Sequence, residues 1–203
     1  MAVMTKLLSL RSTRASWIDG LREEQAAAAL QVLGIAGFAL LTALGAQFSA
    51  RVYLWEVPIT LQTLAVYGSG LFLGARNGLL AQLLYLSLGL FVPVYAGDGT
   101  GVAYFAGAAS AGYLLAYPFA AAVVGFLSKR WKTLAGSTVA MLAGSALLFT
   151  VGVSWLHYAA DHASWWTSID RGWLRFVVID LAKIIAVAVV YSGVRGLFPA
   201  EDA

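Results

Sequence analysis

The chain has 203 residues, of which 61% are hydrophobic and only 11% charged, with a formal net charge of +3. Globular chains run at about 45–50% apolar and about 25% charged, so a water-soluble domain of this size cannot hide so much apolar side chain, and lipid is the expected solvent. The few, scattered basic residues exclude a nucleic-acid footprint, and the absence of cysteine excludes disulfides, thiol chemistry and Cys-ligated zinc.

Two histidines, His157 and His162, are too few for a multi-histidine metal site, and no cofactor is expected. No Gly-Lys-Ser or Gly-Lys-Thr occurs, so ATP is not bound through a Walker A loop. An integral membrane protein without an engine of its own is the expected class.

Residues 1–24 carry Lys6, Arg11, Arg14 and Arg22 around a short apolar patch, Leu7, Leu8 and Leu10. That patch is too short for a signal peptide, so a cytoplasmic amphipathic tail is expected. A bilayer core of about 30 Å takes about 20 helical residues. Five uncharged stretches meet this length: 25–50, 57–75, 77–97, 99–128 and 133–160. A sixth, about 172–198, is interrupted by Arg175, Asp180 and Lys183 but is otherwise rich in Leu, Ile, Val and Ala. The expected fold is therefore all-α, one membrane domain of six transmembrane helices over 25–198, with a short C-terminal tail at 199–203.

Basic residues give the orientation. With six spans, Lys6, Arg11, Arg14, Arg22, Arg76, Lys129, Arg130, Lys132 and Arg195 share one side, and Arg51, Arg171 and Arg175 the other. The larger group marks the cytoplasm, so both termini are expected inside and the protein in the cytoplasmic membrane.

Asp180 and Lys183 are the outstanding polar residues inside a span. Each costs roughly 2.5–3.5 kcal/mol at a helix centre, and such residues nearly always face an interior or a cavity. Three residues apart, they share a helix face and are able to neutralise one another. A packing ion pair is one reading; a polar ligand site in the outer half of the bilayer, about eight residues down an inward-running helix, is the other. Gln62 lies early in the second span, where an amide in lipid needs a partner. Gln47, Tyr85, Tyr95 and Tyr104 gather in the same leaflet, the tyrosines also suiting an interfacial aromatic belt. The loop Tyr95-Ala96-Gly97-Asp98-Gly99-Thr100-Gly101 reads as a lid or a plain turn.

Ala39 and Ala43 in the first span form a small-xxx-small pair, which serves either internal packing or docking of another membrane subunit. An intramembrane serine protease built on Ser69 and His157 fails on geometry, because the two fall in opposite halves of the bilayer, so no catalytic residue is expected. A stand-alone secondary transporter would show repeated halves, and no such symmetry is visible.

The string Val57-Pro58-Ile59-Thr60-Leu61-Gln62-Thr63-Leu64-Ala65-Val66, followed by Gly70-Leu71-Phe72-Leu73-Gly74-Ala75-Arg76, resembles the BioY family, the biotin-specific substrate-binding (S) components of energy-coupling-factor (ECF) transporters. The likeness continues through Gly45-Ala46-Gln47, Leu84-Tyr85-Leu86-Ser87-Leu88-Gly89, Pro93-Val94-Tyr95-Ala96-Gly97, Gly112-Tyr113-Leu114 and Asp180-Leu181-Ala182-Lys183. It implies a six-helix protein that captures biotin from outside, with a transmembrane coupling (T) subunit and ATPase subunits as partners and ATP used only by them. The substrate-binding candidates are then Gln62, Tyr85, Tyr95, Asp98, Tyr113, Asp180 and Lys183, and the docking candidates Ala39 and Ala43. The sequence departs from the family pattern at 108–112, at Ser145, at 175–179 and in a long loop around 157–172. An S component for another vitamin, such as thiamin or riboflavin, is the alternative.

Overall fold

A computed structural model of the protein describes residues 20–22, 26–50, 56–97, 99–131 and 133–197. Most of the N-terminal tail, the C-terminal tail and Asp98 lie outside these residues. The elements are α1 (Ala28–Gln47), β1 (Ser49–Ala50), β2 (Ile59–Thr60), α2 (Gln62–Gly89), α3 (Gly101–Gly107), α4 (Ala111–Arg130), α5 (Leu134–Ala159), α6 (Trp165–Gly172), a 3-10 turn (Leu174–Phe176) and α7 (Val177–Leu197). Among the described residues, five helical stretches are long and apolar enough to cross a membrane: α1, α2, α4, α5 and Trp165–Arg195, which includes most of α7. Helices are the expected answer in lipid, where every backbone N–H and C=O must find its partner within the segment.

The second and third expected spans form one element, α2, broken at Gly74. Gly74 has φ 79° and ψ −177°, a conformation essentially closed to residues with a side chain. The chain reverses there. Gln82 Nε2 donates to Ser69 Oγ at 3.1 Å and Gln62 Nε2 to the Tyr85 hydroxyl at 2.6 Å, so arms 62–73 and 75–89 run antiparallel. At 1.5 Å per residue the arms are roughly 18 and 22 Å long. A Cβ on Gly125 would lie 2.3 Å from the Ala75 nitrogen, so glycine is what lets α4 close on the turn.

α2 is the centre of the bundle. It packs on α1 and α4 and, more lightly, on α7, while α5 lies against α4 and α7. Buried amides and hydroxyls join the arms to α1: Thr42 Oγ1 donates to Gln82 Oε1 at 3.2 Å. At the end of the bundle that holds Gly74, Arg22 donates to Ser128 Oγ at 3.1 Å. Arg22 and Arg195 both lie over the Tyr191 ring, at 5.4 and 5.7 Å.

Two expected boundaries shift. The single stretch 99–128 is split into α3 and α4, because the backbone breaks at Ala108–Ser110, where Trp155 Nε1 donates to the Ala108 carbonyl at 3.0 Å. The last long helix begins at Val177, not near 172. Residues before it form α6, capped by Ser164, whose Oγ accepts from Thr167 N at 3.3 Å, and the 3-10 turn. Asp180 therefore sits in the first turn of α7, about 4.5 Å along the axis from its start, where the positive end of the helix dipole favours a carboxylate.

Ala39 and Ala43 are the docking candidates. Both are buried, Ala39 completely, and both belong to the main apolar core. Small residues there let α1 approach α2 closely, which is internal packing. The outward face of α1 is instead Val32, Leu33, Leu40, Leu41 and Leu44, the large apolar surface that lipid solvates.

Candidate substrate site

A cavity with an empty volume of about 570 Å³ opens at the end of the bundle away from Gly74, between β2, α2, α4, α5 and α7. One wall is polar: Thr60, Gln62, Thr63, Asp180 and Lys183. The lining also carries aromatic rings: Tyr104, Tyr113, Tyr117, Phe149 and Phe176. Val57, Pro58 and Ile59 form the rim, brought there by the two-residue antiparallel pairing of β1 with β2, Ser49 to Thr60 and Ala50 to Ile59.

Each polar side chain is held before any ligand arrives. Thr60 Oγ1 donates to Gln62 Oε1 at 2.8 Å, and Gln62 Nε2 donates to Tyr85, so the Gln62 amide is fixed at both ends. Asp180 accepts from Tyr67, at 2.9 Å on Oδ1 and 3.2 Å on Oδ2, and from Ser145 at 2.6 Å on Oδ2. Lys183 Nζ donates to the Thr60 carbonyl at 2.6 Å and to Thr63 Oγ1 at 3.1 Å. Asp180 and Lys183 line one cavity yet do not pair with each other; the ion pairs among the described residues lie elsewhere. Each of the two charges holds a hydrogen-bond set of its own, one presenting an acceptor and the other a donor.

The expected site residues divide. Gln62, Tyr113, Asp180 and Lys183 meet in the cavity. Tyr85 and Tyr95 are fully buried behind it and do not line it. Tyr85 backs Gln62, stacks with Tyr117 at 6.4 Å and meets the Tyr95 ring edge-on at 5.7 Å. Tyr95 donates to the Leu86 carbonyl at 2.6 Å and shapes the loop after α2. Asp98 lies outside the described residues. Thr60, Thr63 and Tyr117 were not singled out from sequence; the two threonines stand in the Val57–Val66 string, and Tyr117 is one helical turn beyond Tyr113. The Ser69–His157 dyad does not form: Ser69 donates to the Val66 carbonyl, whereas His157 Nδ1 lies 3.0 Å from Ser168 Oγ.

α6 and the turn after it are joined to residues that line the cavity. Tyr113 donates to the Gly172 carbonyl at 2.8 Å, and Trp173 stacks on Phe149 with ring centroids 5.7 Å apart and planes 4° from parallel. Arg171 bridges to Glu56 at 2.6 Å, and His162 Nε2 lies 3.4 Å from the same oxygen, so α6 is tied to the segment that carries the rim. Partial burial pushes the Glu56 carboxyl up. Hydrogen bonds from its own backbone, Arg171 and His162, with the Arg171 charge, outweigh burial and hold it below its ordinary range.

Comparison with known proteins agrees with this architecture. A profile of the BioY family matches residues 19–200. The probable biotin transporter BioY of Lysinibacillus sphaericus is 33% identical over 83% of this chain and 88% of its own. The probable biotin transporter BioY of Pyrococcus horikoshii is 32% identical over 83% and 98%. A crystal structure of the S-component for biotin from an ECF-type ABC transporter superposes with a TM-score of 0.76 at 26% identity, covering 83% of this chain and 92% of that one. The match runs through nearly every helix that builds the cavity, and the chain belongs to the BioY family.

Proposed function

We propose that this chain captures biotin in the cavity and is the substrate-binding component of an ECF-type transporter. The observation that carries the reading is the polar wall. Asp180 and Lys183 present a hydrogen-bond acceptor and a donor in a cavity that aromatic rings also line. Biotin has matching parts: a ureido ring with two N–H donors and one carbonyl, an apolar fused thioether ring, and a carboxylate on an aliphatic tail. The ureido N–H groups reach Asp180, the Lys183 ammonium or the Gln62 amide meets an oxygen, and the rings lie against Tyr113 and Tyr117. A charge-assisted hydrogen bond of this kind contributes about 1.5–3 kcal/mol.

In this reading the chain crosses the cytoplasmic membrane six times, the two arms of α2 counting separately, with both termini inside and the cavity facing out. The bias of basic residues toward the Gly74 end supports that orientation. Accumulation against a gradient then requires a transmembrane coupling subunit and ATPase subunits. The test is mass spectrometry of the small molecule extracted from detergent-purified protein, followed by calorimetric titration. Biotin with a saturable, tight isotherm supports the proposal; thiamin or riboflavin in its place overturns it.

A further inference from the structure

We infer that Tyr67 and Ser145, neither of which lines the cavity, are positioning residues that set Asp180 as the acceptor for the ligand. The inference rests on the reading that Asp180 meets the ureido N–H groups. Tyr67, on the first arm of α2, is completely buried, and its hydroxyl donates to both carboxylate oxygens, at 2.9 and 3.2 Å. Ser145, buried on α5, donates to Oδ2 at 2.6 Å. Three helices thus converge on one carboxylate.

An ionised carboxylate has about four lone-pair sites. The two hydroxyls, with one proton each, occupy two of them from behind, the Tyr67 proton shared between both oxygens, which holds the carboxylate in place and leaves what remains for the cavity. Lys183 directs its own ammonium hydrogen bonds to Thr60 and Thr63. A ligand carboxylate is repelled at such a site, and a ligand N–H is selected.

The experiment is a double-mutant cycle on purified protein, with biotin affinity measured by calorimetry and folding by melting temperature. Tyr67→Phe and Ser145→Ala should each weaken biotin binding by about tenfold, the factor that roughly 1.4 kcal/mol represents. In an Asp180→Asn background the same substitutions should weaken it less than about twofold further, because residues acting through one group do not add. Losses that multiply undiminished in that background, or a Tyr67→Phe protein with a lowered melting temperature and unchanged affinity, would show a purely structural role. Should Tyr67→Phe not fold, the Ser145→Ala arm decides alone. Unchanged affinity in Asp180→Asn by itself sinks the assignment of Asp180 to the ligand, an outcome separate from failure of the cycle.

Discussion

Gly74 is where the fold depends most on one residue, and Gly74→Ala measures that dependence. At φ 79° and ψ −177° the backbone lies in a region that a side chain forbids at about 1–3 kcal/mol. Steric contact adds to this. A Cβ at position 74 would sit 2.5 Å from the Arg22 carbonyl oxygen and 3.3 Å from its carbonyl carbon, and both atoms are backbone. Neither can swing aside as a flexible side chain would, so the turn must open or the Arg22 segment must move. Taking about 2 kcal/mol as a lower figure, a protein of this size should lose roughly 4–8 °C of melting temperature. The damage should reach the cavity as well, because the reversal aligns Gln62 with Tyr85 and places Tyr67 behind Asp180. Melting in detergent followed by tryptophan fluorescence reads the first effect, and biotin titration the second. Gly37→Ala is the control: nothing lies within 4 Å of its Cβ position, and alanine is the better helix former. A Gly74→Ala protein that melts within about 1 °C of the parent, with Gly37→Ala behaving the same, would refute the reasoning from backbone conformation.

Further outcomes follow from individual contacts. Because Glu56 is held below its ordinary range, its tie to α6 is fully present above the carboxyl's unfolded value and is lost as pH falls through the lower folded one. The protection of residues 165–176 against hydrogen exchange, relative to the intrinsic rate at each pH, should therefore be unchanged between pH 8 and 6, about the neutral range, and should fall in acid below about pH 4.5, the ordinary value for this carboxyl. The same protection in Arg171→Ala should be lowered already at neutral pH. Ala39→Trp should lower melting temperature and expression, since Ala39 is completely buried; a stably folded variant that merely fails to bind a coupling subunit would support the docking assignment. Lys183→Met should weaken biotin binding by at least about tenfold while removing two hydrogen bonds from the β2–α2 junction. Parent-like affinity in that variant would separate Lys183 from the ligand.

Hydropathy made most of the helices legible, because lipid imposes a length and an apolar composition that a linear scan detects. It did not locate the helix ends near the cavity. There the chain uses short elements, α3, α6 and the 3-10 turn, whose boundaries depend on tertiary hydrogen bonds such as Trp155 to Ala108 and Tyr113 to Gly172. The three-residue spacing of Asp180 and Lys183 placed both on one helix face, and both line the cavity. Their partners come from outside the helix. Tyr67, Ser145, Thr60 and Thr63 come from elements far away in sequence and offer each charge a hydrogen-bonded partner of its own. Tyr85 and Tyr95 show the same limit in reverse: an aromatic near a site looks identical in sequence whether its ring faces the ligand or braces the wall. Ala39 and Ala43 look alike as packing and as docking until burial distinguishes them.

The separation of Asp180 from Lys183 bears on how such a site captures a neutral ring. Had the two formed a buried ion pair, a ligand would have to break it, and an uncompensated charge in a low dielectric is costly. Here each charge already has neutral dipoles around it, hydroxyls for the carboxylate and a carbonyl with a hydroxyl for the ammonium. The ligand's polar groups then add to hydrogen-bond sets that remain intact, and little reorganisation opposes binding. Together, the two groups read a donor and an acceptor within one small ring, which is the pattern of a urea. An ester or a simple carboxylate lacks the N–H donor, so Asp180 would be desolvated against an oxygen, and the resulting unpaired acceptor costs about 1–3 kcal/mol or more for a charged group. On the proposed reading, selectivity for the ureido ring over oxygen-only analogues follows from keeping the acceptor fixed by its own hydroxyl donors, while the aromatic rings supply apolar contact that discriminates far less between rings of similar size.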